Sequence, residues 1–179
     1  MAMTLLADNT ADTTDLASVS FTSGIDSTYK LYIFKFIDIN PATNVQYFQF
    51  QGSTDGGSSY GVTMTSTAFR AYHKEDDSQT GVLYLTASDL AQSASYAQIA
   101  VSVGNAADES AAGTLWFFNP SSTTYVKHWY SRFSGYDHDD VATDHFMAGY
   151  FNTTSAIDAL DFKMNSGNFD GTIKMYGVG

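Results

Sequence analysis

Residues 29–39 read YKLYIFKFIDI, the longest stretch of the chain with the pattern of a single strand. Side chains alternate between the two faces of a strand. One face of this strand would carry Leu31, Ile33, Ile37 and Ile39, and the other would carry Tyr32, Phe34 and Phe36. An antiparallel sheet with one solvated face alternates apolar and polar residues. We therefore predict that both faces are covered, one by the core and the other by a loop, a second sheet or a neighbouring subunit.

Shorter segments with strand patterns follow along the chain, separated by turns rich in Gly, Asn and Asp. A second long strand is expected over 125–136, and Ser88 begins the one expected helix, a short one. Proline is scarce, with two in the chain. The pattern predicts an all-β fold, an antiparallel β-sandwich of the jelly-roll type with about ten strands and at most one short helix. An immunoglobulin-like sandwich is the second choice, because the chain is long for it and lacks the Cys-Trp-Cys signature.

The length and composition predict a single domain. With 179 residues and 44% hydrophobic residues, the chain is large enough to bury a stable core without disulfides or a structural metal. Residues 1–17 are rich in Thr, Asp and Ala without a clear period and are expected to form a flexible arm, or an arm that pairs with a neighbour. Residues 18–179 are expected to form the β-sandwich domain. The first residues have no basic region and only a short apolar run, so no cleavable signal peptide is expected.

The charge and cysteine counts exclude several classes of function. The formal net charge is -11, from 19 acidic and 8 basic residues, and the basic residues are scattered along the sequence. Such a surface repels a phosphate backbone, so no nucleic-acid partner is expected. No segment approaches the length of a transmembrane helix, so no membrane partner is expected. The absence of cysteine excludes disulfides, thiolate metal sites and cysteine nucleophiles.

An acidic loop over 137–144, with His145 next to it, is the best candidate for a metal site. Its candidate ligands are Asp137, Asp139 and Asp140, with His138 beside them. Oxygen-rich loops suit calcium, and imidazole suits zinc. The spacing matches neither an EF-hand nor a zinc motif. We therefore expect a solvated loop and no cofactor, with calcium as the open alternative.

No catalytic motif is present in the sequence. It contains no Gly-x-Ser-x-Gly elbow, no Gly-x-Gly-x-x-Gly loop and no P-loop. The two glutamates, Glu75 and Glu109, both lie in polar segments, whereas a glycosidase needs paired acids across a cleft. We predict that the protein is not an enzyme.

Aromatic residues make up 15% of the chain. They are expected to fill the core or a subunit interface, where Tyr, Trp and Phe are enriched. The candidate interface residues are Tyr32, Phe34, Phe36, Trp129 and Tyr130. Sugar binding by stacking on exposed rings is the alternative, with Trp116, Trp129, Tyr130 and Tyr136 as candidates.

The carboxyl-terminal third of the chain carries a resemblance to a known family. The residues are GYFNTTSAI over 149–157 and FKMNSGNFDGTIKMYG over 162–177, extended by NPSSTTYVK over 119–127, FRAYH over 69–73 and YIFKFI over 32–37. They resemble structural proteins encoded by marine bacteriophages.

The resemblance implies a β-rich, non-enzymatic component on the surface of a virion. It also implies an oligomer. From the resemblance and the two apolar faces of the long strands together, we predict a homo-oligomer, most of all a homotrimer, that serves as a capsid decoration or head-fibre protein. Its partners would be copies of itself and the major capsid protein or another virion protein. A tail-associated module that binds a receptor or a carbohydrate is the alternative.

Overall fold

The structure is a computed structural model that describes residues 2–179, with the backbone alone described for residues 10–15. The described residues form twelve strands and one short 3-10 helix, Thr86–Ser88. The strands are β1 (Met3–Leu16), β2 (Val19–Phe21), β3 (Leu31–Pro41), β4 (Gln46–Ser53), β5 (Met64–Lys74), β6 (Thr80–Tyr84), β7 (Ala97–Val103), β8 (Ala111–Phe118), β9 (Lys127–Asp137), β10 (Val141–Phe151), β11 (Ala159–Met164) and β12 (Phe169–Val178). The prediction of an all-β antiparallel fold is confirmed.

The strands join in one branched sheet. The main path runs β1-β12-β3-β8-β9-β7-β4-β11-β2, and a branch runs from β9 through β10 and β5 to β6. Every pair of strands is antiparallel. β7 meets β9 at one residue pair, Val103 with Asp137. β9 is therefore the strand from which the two arms of the sheet diverge.

The sheet curls until it is nearly closed around an aromatic core. Phe162 on β11 lies 5.3 Å from Phe34 and 5.2 Å from Phe36, both on β3, and Phe21 on β2 lies 5.3 Å from Phe34. These strands are far apart in the hydrogen-bonded order, so their rings meet across the interior. Burying one such side chain contributes about 2–3 kcal/mol, and edge-to-face ring pairs add about 1 kcal/mol each.

β3 carries its aromatic side chains inward and most of its aliphatic ones outward. Tyr32, Phe34 and Phe36 are at most 2% exposed, whereas Ile37 is 43% exposed. The predicted grouping of Ile39 with the other aliphatic residues is wrong, because Ile39 is fully buried. The reason is an irregularity in the pairing after Phe36, where Asp38 has a φ of 52° and shifts the alternation by one residue.

The predicted flexible arm over residues 1–17 is, over most of its length, a strand in the structure. β1 pairs with β12 from Met3 opposite Val178 to Leu16 opposite Phe169, and the Ala2 N–H donates to the Gly179 carbonyl at 2.9 Å. Composition suggested an arm because the segment has no apolar period. The free edge of β12 supplies the hydrogen-bond partners for the backbone of this segment, and the amino-acid composition does not reveal that pairing. Residue 1 of the predicted arm lies outside the described residues.

Candidate interaction surface

The register of eight neighbouring strands builds one broad surface, here called the outer face. Its strands, in order, are β1, β12, β3, β8, β9, β10, β5 and β6. Because side chains alternate between faces, the residues that oppose one another in register form rows across the sheet. One row contains Leu5, Tyr176, Ile33, Trp116, Tyr130, Ala148 and Thr67. The next row contains Asp8, Lys174, Lys35, Thr114, Arg132, Phe146, Phe69 and Tyr84.

Aromatic rings on the outer face stack on one another rather than on the core. Trp116 and Tyr130 stack with ring centroids 4.6 Å apart, and Phe69 and Phe146 stack 4.9 Å apart with an angle of 5° between the rings. Tyr130, Phe69 and Tyr84 remain 43%, 44% and 55% exposed. Exposed apolar side chains grouped on one face make it the candidate interaction surface of the described chain.

The charged groups of the outer face largely neutralise one another. Arg132 donates to both carboxylate oxygens of Asp144, at 3.0 Å and 2.7 Å, while its guanidinium lies 4.8 Å from the Phe146 ring centroid. The Lys174 ammonium lies 2.9 Å from the Asp8 carboxylate. Each carboxylate raises the pKa of its basic partner by hydrogen bonding and by charge. The charge of -11 is therefore carried mainly by other parts of the molecule.

Two clefts flank the Phe69–Phe146 stack. A cleft of about 450 Å³ has Tyr130, Tyr150 and His128 around Ala148, whose small side chain leaves room between the rings. The second cleft, of about 590 Å³, contains small side chains and also borders Val82 and Asp144. Exposed aromatic side chains of the outer face therefore lie beside two shallow clefts.

The structure separates the five candidate interface residues. Tyr32, Phe34, Phe36 and Trp129 are 0%, 0%, 2% and 2% exposed, whereas Tyr130 lies on the outer face. Side chains inside the chain's own core cannot contact a second copy, so four of the five are core residues in this fold. Tyr32 is anchored there by its hydroxyl, which donates to the Asp26 carbonyl at 3.0 Å.

Sequence analysis missed most of the outer-face aromatics as interface residues. They are Phe69, Tyr84, Phe118, Phe146, Tyr150 and Tyr176, while Trp116 was named only as a sugar-binding candidate. The available sequence signal was that each lies in a strand with other aromatic residues nearby. The register of the strands, which brings the rings together, cannot be deduced from the sequence alone. Of the other sugar-binding candidates, Trp129 lies in the core and Tyr136 donates its hydroxyl to Asp140 at 3.2 Å.

The candidate metal ligands in the acidic loop do not converge. Asp137 is 4% exposed, and its carboxylate accepts a hydrogen bond from Arg70 Nη1 at 3.2 Å and contacts the His138 ring. Burial raises the pKa of Asp137. Asp139 points outward and is 68% exposed. Among the side chains that the structure describes, those of residues 2–9 and 16–179, no three His, Cys, Asp or Glu residues are grouped so that they could hold a metal ion.

A buried polar group lies under the outer face. His145 is 1% exposed, and neither of its ring nitrogens has a hydrogen-bond partner. Its register neighbour on β5 is Arg70, whose Nε is also buried and without a partner. Burial, with a further contribution from the Arg70 charge, lowers the pKa of His145 to about 4.

Within the described part of the chain, no helix has the length and apolar content needed to cross a membrane. A comparison of the sequence with models of protein families found no match, and a comparison with curated proteins found none either.

Proposed function

We propose that the chain is a non-enzymatic structural protein of a bacteriophage virion, a homo-oligomer that uses the outer face as a contact surface between copies. It would lie on the particle surface and act without a metal or cofactor, as a capsid decoration or head-fibre protein. The observation that carries the proposal is the stacked and exposed set of rings on the outer face. The resemblance to phage structural proteins supplies the setting of the virion, with the major capsid protein or another virion protein as the second partner.

The chemistry of the outer face fits a protein interface. Interface cores are enriched in Tyr, Trp and Phe and depleted of unpaired charge. Trp116, Tyr130 and Phe69 supply the aromatic part, and Arg132 is paired with Asp144. A stable contact buries about 800 Å² on each partner. The rows of side chains on the outer face extend across eight strands.

We also propose the jelly-roll sandwich as the finer description of the fold. In it, the stretch β2-β11-β4-β7 would be one layer, and the strands that carry the outer face would be the other. The support for this arrangement is that the two stretches meet through a single residue pair, Val103 with Asp137, and share the aromatic core.

Light scattering on the purified protein tests the proposed self-association. The wild type is expected to have a mass that is a multiple of 19.5 kDa, with a homotrimer as the predicted stoichiometry. Tyr130→Arg places a charge among the stacked rings and is expected to lower that mass. Tyr125→Arg is the matched control, because Tyr125 is 69% exposed but lies outside the strands of the outer face.

Two results would contradict the proposal. One is a wild-type mass of a single chain at every protein concentration. The other is a Tyr130→Arg variant with a native circular dichroism spectrum and an unchanged mass. Loss of mass in the Tyr125→Arg control would show that the effect does not depend on the outer face.

A receptor-binding or carbohydrate-binding module is the second candidate, favoured by the cleft between Tyr130 and Tyr150. A sugar ring buries its apolar face on aromatic side chains, and His128 at the same cleft offers a polar contact. Glycan binding that Tyr150→Ala abolishes and Tyr125→Ala preserves would favour this function. Loss of that binding when calcium is removed would show that the binding site also requires a metal ion.

A further inference from the structure

β6 forms an exposed edge of the sheet at the end of the branch. Among the described strands, it pairs with β5 alone. Its residues Val82, Leu83 and Tyr84 are 76%, 47% and 55% exposed, so both faces of this strand meet solvent. The sequence of β6, Thr-Gly-Val-Leu-Tyr, contains no charged residue and no proline. It therefore lacks the devices that usually protect an edge strand from pairing with another chain.

The backbone of β6 presents free hydrogen-bonding groups along this edge. The flanking hydrogen bonds join Lys74 N to Gln79 O and Leu85 N to Ala68 O, both at 2.9 Å. In an antiparallel pair, residues that bond to the partner strand alternate with residues whose N–H and C=O point away from it. By this alternation, Thr80, Val82 and Tyr84 direct their N–H and C=O groups toward the free edge.

The other two edges of the sheet are poor sites for pairing with a second copy. The sequence of β1 contains two further aspartates, Asp12 and Asp15, besides the Asp8 that pairs with Lys174, and no basic residue, so a second copy of that strand would add acidic residues to this edge. β2 has three residues, which gives too short a ladder. The strand residues of β6 carry no charge, so in a chain with a net charge of -11 the repulsion between two copies paired there comes from flanking residues, such as the acidic turn over 75–77, rather than from the strand itself.

We propose that β6 pairs antiparallel with β6 of a second copy, about a two-fold axis at Val82. This interface deepens the proposed function and rests on the self-association stated there. Val82 faces Val82 of the second copy, and Thr80 faces its Tyr84 on each side, so every outward N–H and C=O of the three residues gains a partner. The pairing joins the two outer faces into one continuous sheet.

The side chains on the opposite face of β6 complement one another across the same axis. Leu83 of each copy faces Gly81 of the other, which has no side chain to oppose it. The ring of Tyr72 lies beside Gly81, with its hydroxyl oxygen 3.2 Å from the position that a Cβ would take there. Leu83 of the second copy therefore gains an apolar contact with this ring, and its 47% exposed side chain becomes covered.

The stoichiometry follows from the two-fold axis. A β6 pair gives an even number of chains, so an outer-face trimer would assemble into a six-chain particle of two trimers. Salt is expected to strengthen the association, because it screens the repulsion between two chains of charge -11 while leaving the neutral β6 contact intact.

Light scattering tests the pairing in the Tyr130→Arg background, where the outer-face contact is removed. The parent variant is expected to have twice the mass of one 19.5 kDa chain, and Val82→Pro is expected to reduce it to one chain. Proline removes an N–H that faces the free edge, so the hydrogen bonds to β5 are kept and the fold is preserved. Val82→Lys and Val82→Glu are each expected to be single chains, because like charges then meet at the axis. Mixing these two variants is expected to restore the pair.

The possible results separate the pairing from the proposed function. A wild type with three times the mass of one chain, unchanged by Val82→Pro, would overturn the β6 pair and leave self-association in place. A mixture of the Lys and Glu variants that stays at the mass of one chain would also overturn the pair. A wild type that is a single chain at every concentration would overturn both proposals.

Discussion

Replacing His145 by leucine is expected to remove a large part of the acid sensitivity of the folded state. His145 lies on β10 with its ring under the sheet, and both ring nitrogens are buried without partners. Protonation would place a positive charge there next to Arg70, with the Asp144 carboxylate compensating it in part. Asp137 on β9 is already paired with Arg70. Leucine has a similar volume and introduces no polar atom.

The magnitude follows from the difference in proton binding between the folded and unfolded chains. The pKa of His145 is lowered from 6.5 to about 4 in the folded state, so the unfolded chain binds the proton first as the pH falls. The stabilisation is complete above pH 6.5 and is lost progressively between 6.5 and about 4. One pKa unit corresponds to about 1.4 kcal/mol, so the loss over this window is about 3 kcal/mol.

Urea unfolding followed by tryptophan fluorescence measures this loss at a series of pH values. The free energy of unfolding of the wild type is expected to fall with acid by about 3 kcal/mol more than that of His145→Leu. The difference between the two proteins cancels the contributions of the carboxylates that both contain, including Asp137. His128→Gln is the matched control, because His128 lies exposed on the outer face, and this variant should follow the wild type.

Parallel pH profiles for the wild type and His145→Leu would refute the reasoning. That result would mean that water or a rearranged Arg70 compensates the buried imidazolium. If His128→Gln instead lost the acid sensitivity, the group responsible for that sensitivity would lie on the outer face rather than beneath it.

Three other predictions concern the core, the sheet and the acidic loop. Phe162→Ala is expected to lower the free energy of unfolding, measured with urea, by about 3–5 kcal/mol, because the Phe162 ring contacts five other phenylalanines across the core. A loss below about 1 kcal/mol would contradict the central position of this ring. Gly149→Ala is expected to lower the midpoint of thermal unfolding, because the added Cβ would lie 2.6 Å from a carbonyl oxygen of β5. Gly61→Ala is the control and should leave the midpoint unchanged, because no heavy atom lies within 4 Å of the added Cβ. Calcium is expected to leave the melting curve unchanged, because the buried Asp137 carboxylate is paired with Arg70, and a calcium-dependent rise in the midpoint would contradict this.

The strand patterns along the chain, of which residues 29–39 are the longest, were sufficient together with the turns between them to predict an all-β antiparallel fold. Period-two alternation is a local property, set by the pleat of an extended backbone, so it is visible in sequence. Which face points inward was not visible, because both faces of this strand are apolar. The choice depends on which neighbouring strands present aromatic side chains toward Phe34 and Phe36, and only the three-dimensional pairing establishes that.

Trp129 and Tyr130 show the same limit at the candidate site. Both are large aromatic residues, adjacent in the chain, and sequence analysis grouped them in one interface. The strand places them on opposite faces, so Trp129 is 2% exposed and Tyr130 is 43% exposed. The stack of Tyr130 with Trp116 depends on the register of β8 and β9, and register is set by long-range packing.

The sequence by itself determined the class of fold, the acidic charge and the absence of cysteine chemistry, since these follow from composition and local alternation. The tertiary structure decided that the amino-terminal segment pairs with β12, that His145 meets Arg70 beneath the outer face, and that β6 forms an exposed, uncharged edge. The physical reason is that each of these depends on which residues oppose one another across strands distant in sequence. Backbone hydrogen bonds and core packing select those partners together, and no short stretch of the chain specifies them alone.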